Sequence, residues 1–145
     1  QPWASLIAWG EKRYETRSWG TKYRGPLAIH AGVMDDTIPL IMQNGFYRSA
    51  FDQAGVSLDL KLPSSSMLCI VDLVDVMKII EMDRKILFGS MLSQKEEAFG
   101  DYSHGRFAWK LENVRLLEPQ LPALGCQGLW EWPYFLSDLK LERVT

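Results

Sequence analysis

The sequence is poor in the residues that metal and thiol chemistry need, with two cysteines and two histidines among 145 residues. Cys69 and Cys126 are far apart, without a CxxC pair and without a histidine at finger spacing, so a zinc site is not expected. No grouping of Asp, Glu and His has metal-ligand spacing either, and the chain is read as needing no metal or organic cofactor. Cys69 sits in an apolar stretch and reads as a small buried hydrophobe, whereas Cys126, between Gly125 and Gln127, reads as an exposed thiol with no base to activate it. There is no apolar run long enough to span a bilayer and no secretory n-region. A cytoplasmic protein without membrane contact is expected. Internal repeats and low-complexity tracts are missing too.

What remains is the composition of an ordinary folded domain. With 47% hydrophobic and 23% charged residues, the chain can bury a core within one domain spanning residues 1–145. The formal net charge is -2, so the molecule as a whole has no basic field. Residues 10–31 depart from that average. Lys12, Arg13, Arg17, Lys22 and Arg24 outnumber Glu11 and Glu15 there by three, and Tyr14, Trp19 and Tyr23 are interleaved with the cations. A base can stack on a ring while its phosphate meets the adjoining cation, which is the pattern of a single-stranded nucleic-acid site. A solvated surface strand whose rings cap the core has the same composition. The pattern alone leaves both readings open.

Gly10, Lys12, Glu15 and Arg17 spell GxKxxExR directly after the apolar segment QPWASLIAW. Further segments follow in order: SWGTKYRGPLAIHAG (18–32), LCIVDLVDV (68–76), FGDYSHGRFAWKLENVRLL (99–117) and GLWEW (128–132). Together they resemble the ASCH family, a branch of the PUA-like superfamily of small RNA-associated β-barrels, and the resemblance covers most of the chain. It is to small stand-alone proteins of bacterial or phage type. The resemblance implies an α+β fold, a PUA-like mixed β-barrel with flanking short helices. It also implies a short apolar strand ahead of the QPW segment. Because the chain opens at Gln1 without an initiator methionine, one barrel strand is expected to be missing or replaced at its edge.

Local patterns give a compatible set of elements. Residues 2–9 read as a short helix, since Trp3, Leu6 and Ile7 recur at helical spacing, Pro2 suits a first turn and Gly10 a stop. Residues 12–19 read as a strand, with Lys12, Tyr14 and Thr16 facing one way and Arg13, Glu15 and Arg17 the other. Residues 26–31 read as a buried strand ending at Gly32. Asp35, Asp36 and Thr37 are candidate N-caps for a helix running to Asn44-Gly45. A second helix follows, with Phe46, Tyr47, Ala50, Phe51 and Ala54 on one stripe and Gly55 at its end.

Residues 55–66 read as a loop, and residues 67–80 as a strand apolar on both faces except at Asp72 and Asp75. These two are expected to pair with arginine or a turn amide. Ser93 and Glu96 form a capping box for a short helix stopped by Gly100, and residues 101–105 make a turn. Residues 106–117 form the last long strand, whose change of phase at Glu112 and Asn113 suggests a bulge. GLWEW is taken as a closing strand, and the alternation beyond it as an edge strand or a packed tail. Several short strands, few helices and an apolar interior argue for a mixed barrel on their own.

Fold class does not decide function. Lys12 and Glu15 are expected at a cleft floor, where burial lowers the lysine pKa and a carboxylate raises it again. Lys12, Glu15 and Tyr102 form the candidate catalytic set. Arg17 and Arg24 suit bidentate phosphate contacts and, with Lys22, Trp19 and Tyr23, form the candidate nucleic-acid-binding set. The competing reading of Glu15 and Arg17 is a partly buried ion pair, two apart on one strand face. His30 reads as a core histidine, His104 as an exposed turn residue and Asp101 as a loop cap.

The predicted function is binding of single-stranded RNA, or of a nucleotide-like ligand, in a cleft around GxKxxExR. The family resemblance adds two hydrolase alternatives. Some small bacterial relatives are amidohydrolases acting on acetylcytidine, whose motif resembles GxKxxTxR with a threonine nucleophile. Glu15 stands at that position here and Thr16 is expected on the other strand face, which weakens this alternative. Other relatives have been assigned ribonuclease activity, which Lys12, Glu15 and Tyr102 would serve by proton transfer and phosphate stabilisation. A protein-interaction module with a patch around Trp130 and Trp132 is the third class.

Overall fold

A computed structural model describes residues 1–33, 38–57, 61–80 and 86–144. The candidate N-caps Asp35, Asp36 and Thr37 lie outside the described residues. Helix α1 (Trp3–Ala8) forms where expected and buries Ala4, Leu6, Ile7 and Ala8. Gly10, at φ +78, reverses the chain after it. The amides of Glu11 and Lys12 then both donate to the Leu6 carbonyl, at 2.9 and 3.1 Å. Lys12 is thus fixed by the helix end and precedes β1 (Tyr14–Arg17), which is shorter than the predicted strand.

The other strands are β2 (Gly25–Ala31), β3 (Ser66–Lys78), β4 (Ile86–Leu87), β5 (Ser90–Met91), β6 (Phe107–Pro122) and β7 (Leu141–Arg143). The main sheet is antiparallel in the order β1-β6-β3-β2. β7 lies along the same edge of β6 as β1, because β3 occupies the other edge throughout. Ile70 faces Arg115 and Asp72 faces Glu112, so β6 uses one residue more than β3 over that interval. Asn113, at φ +53, absorbs it as the predicted bulge.

Two expectations change. Among the described residues β2 pairs with β3 alone, so the sheet is open and does not close into the expected barrel. GLWEW is not a strand: Gly128 adopts φ +78 and Pro133 follows, both incompatible with continued pairing. Trp130 and Trp132 instead pack against Met67, Ile70 and Leu117 on the sheet. Leu141–Arg143 takes the edge position.

Helices α2 (Ile38–Ile41) and α3 (Gly45–Gln53) pack beside the end of α1. Asn44 caps α3 by accepting from the Phe46 amide, and Tyr47, Ala50 and Phe51 pack with Leu6 and Phe99. Phe99 closes α4 (Gln94–Ala98), so this cluster brings the ends of α1, α3 and α4 together. A pocket forms where they meet β1.

Candidate functional site

Lys12, Glu15 and Thr16 border a pocket of about 370 Å³ whose walls include Trp3, Tyr47 and Asp101. Lys12 is only 2% exposed. Its Nζ donates to the Phe99 carbonyl oxygen at 2.9 Å. The Tyr47 hydroxyl donates to the Ala98 carbonyl at 3.0 Å. Two side chains from other elements therefore satisfy carbonyls that the end of α4 leaves open. Burial lowers the pKa of Lys12, opposed by the charges of Glu15 and Glu96 and assisted by Arg17. Burial also raises that of Tyr47.

Glu15 points its carboxylate at Arg17, with Oε1 and Nε 3.2 Å apart. Arg17 is half exposed and does not line the pocket. Of the motif's three charged residues, Lys12 and Glu15 share one hollow, and Arg17 is tethered to it through Glu15. Thr16 borders the hollow as well, because β1 is an edge strand whose free side is open to residues of both faces. Its hydroxyl accepts from the Asp101 amide at 3.2 Å, and its carbonyl accepts from Arg106 at 3.3 Å. Asp101 in turn accepts from the Ser103 hydroxyl and amide, which hold its pKa below the ordinary value. The turn after α4 is thereby locked to β1 at the pocket mouth.

Tyr102 is not in this pocket. Its ring is buried among Ile79, Leu87, Leu92 and Ala108, and its hydroxyl is buried beside the Glu96 carboxylate. Burial and the charge of Glu96 push its pKa far up, so it is a poor proton donor or acceptor for a ligand beside Lys12. Glu96 is the residue that sequence reasoning missed. Ser93 Oγ accepts from the Glu96 amide at 3.1 Å, as a capping box requires. The Glu96 carboxylate does not reach back, however: Oε1 accepts from the Arg13 amide, and the buried carboxylate also has the Tyr14 amide and the Tyr102 hydroxyl as neighbours. Burial raises the pKa of Glu96, and the Arg13 amide and Lys12 oppose that rise. The acid three residues after Ser93 was the available signal, but nothing local indicated that its partner lies at Arg13.

The model of the ASCH domain matches residues 1–120. The chain belongs to the ASCH domain family. Among curated proteins it is similar to Activating signal cointegrator 1 of Homo sapiens, 29% identical over 136 residues, and of Mus musculus, 31% identical over 137 residues. Each match covers 90% of this chain and 21% of the relative, so the chain spans about a fifth of the curated relatives it matches. Both relatives are mammalian and give no support to a bacterial or phage-type origin.

The remaining candidates of this ASCH domain lie on the loop from β1 to β2, outside the pocket lining. Trp19 sets its ring edge-on to Trp109 with centroids 4.9 Å apart, and Trp109 Nε1 donates to the Trp19 carbonyl at 3.3 Å. Arg24 pairs with Asp75 at 3.1 Å and also donates to the carbonyls of Thr21 and Tyr23. The Tyr23 hydroxyl donates to the Pro26 carbonyl, and Lys22 is exposed. Asp72 takes Arg115 and the Asn113 amide, so both strand aspartates have the basic partners expected of them. His30 is half-buried, with Nε2 2.9 Å from the Ala123 carbonyl oxygen. Among the described residues no group of three His, Cys, Asp or Glu could hold a metal ion, and no helix is long and apolar enough to cross a membrane.

Proposed function

We propose that this ASCH domain is a binding module for single-stranded RNA, taking one nucleoside unit into the pocket beside Lys12 and Glu15. The carrying observation is that the motif's charges are already engaged by the protein, Lys12 with Phe99 and Glu15 with Arg17. A preorganised wall of this kind serves recognition, because little ordering remains for the ligand to impose. The volume of about 370 Å³ falls in the range of small-ligand pockets. Trp3, partly exposed at the rim, offers a stacking face, Glu15 accepts from a base amino group, and Arg17 meets the adjoining phosphate. A cytoplasmic location belongs to the same reading.

A hydrolase is the alternative, favoured by the lowered pKa of Lys12. Against it, the Lys12 ammonium is aimed at a carbonyl and Tyr102 faces another cluster. A protein-interaction role draws on the exposed Leu124 and Phe135, in the same C-terminal segment as Trp130 and Trp132. Titration of a labelled oligouridylate with product analysis separates the three. A binder retains intact RNA, and Trp3→Ala weakens it by about tenfold, the scale of one lost stacking contact. Cleaved RNA, or acetate released from acetylcytidine, would establish the hydrolase. Unchanged affinity in both Trp3→Ala and Glu15→Gln would remove the pocket from the binding face.

A further inference from the structure

A second concavity, of about 1210 Å³, lies over the seam where β1 and β7 share the edge of β6. At one side of the seam the Leu111 amide donates to the Arg13 carbonyl at 2.9 Å, and at the other the Val144 amide donates to the Val114 carbonyl at 3.2 Å. The bulge at Asn113 falls between them. Three of the six cations along the groove are neutralised, Lys95 by Glu11 at 2.9 Å, Lys110 by Glu112 at 2.9 Å and Arg115 by Asp72, and Lys12 donates to the Phe99 carbonyl. Arg13 and Arg143 also line it, and neither has a carboxylate partner among the described residues.

Arg143 stands in register directly opposite Arg115. Like charges at opposed positions of an antiparallel pair repel, and Asp72 neutralises only Arg115. The free protein thus holds an uncompensated guanidinium where an anion would relieve it. Arg13 lies four positions of β6 away, roughly 13 Å along the sheet edge, with Trp9 and Tyr14 bordering the same groove. Two open cations spaced along a track that also carries rings match a phosphodiester strand with unstacked bases.

We propose that the groove over the β1 and β7 seam is a second binding site, which takes the phosphodiester backbone of a single-stranded nucleic acid with Arg13 and Arg143 as its anchors. This site does not depend on Lys12, Glu15 or the pocket reading. The test measures affinity of labelled oligouridylate across a salt series for the intact chain, for Arg13→Gln with Arg143→Gln, and for Arg143→Gln alone. The double variant is expected to bind about tenfold more weakly at low salt. Its slope of log affinity against log salt becomes shallower by about 1.4, from two phosphate contacts at about 0.7 each. Arg143→Gln alone, on an exposed edge position, shows about half that change. Lysine at both positions restores the slope.

Free uridine, which reads only the pocket, binds the double variant as it binds the parent. Trp3→Ala, conversely, alters the uridine titration and leaves the salt slope intact. An unchanged slope and affinity in the double variant would overturn the proposal, as would a parent protein that shows no salt-dependent binding. Arginine-dependent capture of polyglutamate in place of oligouridylate would also overturn it, by making the groove an acidic-peptide site.

Discussion

The ammonium of Lys12 reaches across 87 positions of sequence to the carbonyl of Phe99 and caps the carboxyl end of α4. One contact thus ties the start of the GxKxxExR segment to the turn that walls the pocket. It joins a charge that resists burial to a carbonyl that needs a donor, so its consequences can be read in the pH dependence of stability.

Lys12 has a folded-state pKa below its ordinary 10.5 because burial disfavours the ammonium. Between the folded value and 10.5 the unfolded chain binds a proton that the folded chain does not, so stability rises with pH across that window. Lys12→Met keeps most of the volume and removes the titration. Urea unfolding at a series of alkaline pH values is expected to show the parent gaining stability relative to Lys12→Met. Lys12→Ala, which also opens a cavity and leaves the Phe99 carbonyl unpaired, costs about 2–4 kcal/mol. A constant difference between parent and Lys12→Met over the alkaline series would contradict the burial argument.

Glu96 titrates in the opposite sense. Its folded-state pKa lies above the ordinary 4.5, chiefly through burial. The folded form therefore holds the proton more tightly, and the resulting stabilisation is complete below 4.5 and lost as pH rises through the folded value. Glu96→Gln retains an oxygen for the Arg13 amide but cannot ionise, so the parent should lose stability relative to it across that window. Glu96→Ala strands the Arg13 amide and costs about 1–3 kcal/mol at any pH. Thermal unfolding of the three proteins between acid and neutral pH measures both effects.

Asn113 holds φ +53 at the bulge of β6, and its side-chain amide donates to Asp72 at 2.8 Å. Alanine there loses the hydrogen bond and keeps the unfavourable backbone, for a cost of about 1–2 kcal/mol. Glycine loses the bond but relieves the backbone, so Asn113→Gly should be the more stable of the two. The reverse order of urea midpoints would show that the left-handed backbone conformation does not set the cost at this position.

How much of this was legible depends on the range of the interaction. Helix α1 and its stop at Gly10, the bulge at Asn113 and the arginine partners of Asp72 and Asp75 follow from periodicity, turn chemistry and the cost of burying an unpaired charge. All but the last are set within a few residues. The contacts that build the pocket are not: Lys12 meets Phe99, and Arg13 meets Glu96 83 positions away. Local pattern carries no register across such distances. The strand alternation also misplaced Lys12, because the Leu6 carbonyl holds it in a turn ahead of β1. Charge density in residues 10–31 was real, yet a loop can bring its cations back on itself, as Arg24 does onto Thr21 and Tyr23.

Trp19 offers the sharpest separation of a stacking role from a packing one. Its ring is 36% exposed, enough for a base to lie on, yet its edge-on contact with Trp109 and the bond from Trp109 Nε1 to its carbonyl tie it to the sheet. Trp19→Ala removes the aromatic pair and part of the cover over β6, so unfolding free energy should fall by about 1–2 kcal/mol. Affinity for oligouridylate should change by less than about threefold, since a base lost from a stacking platform would cost ~1–3 kcal/mol. Trp19→Phe, which keeps a ring against Trp109, should recover most of the stability and leave binding as it was. If instead Trp19→Ala unfolds at the parent's urea midpoint but binds RNA tenfold more weakly, Trp19 belongs to the ligand and not to the sheet.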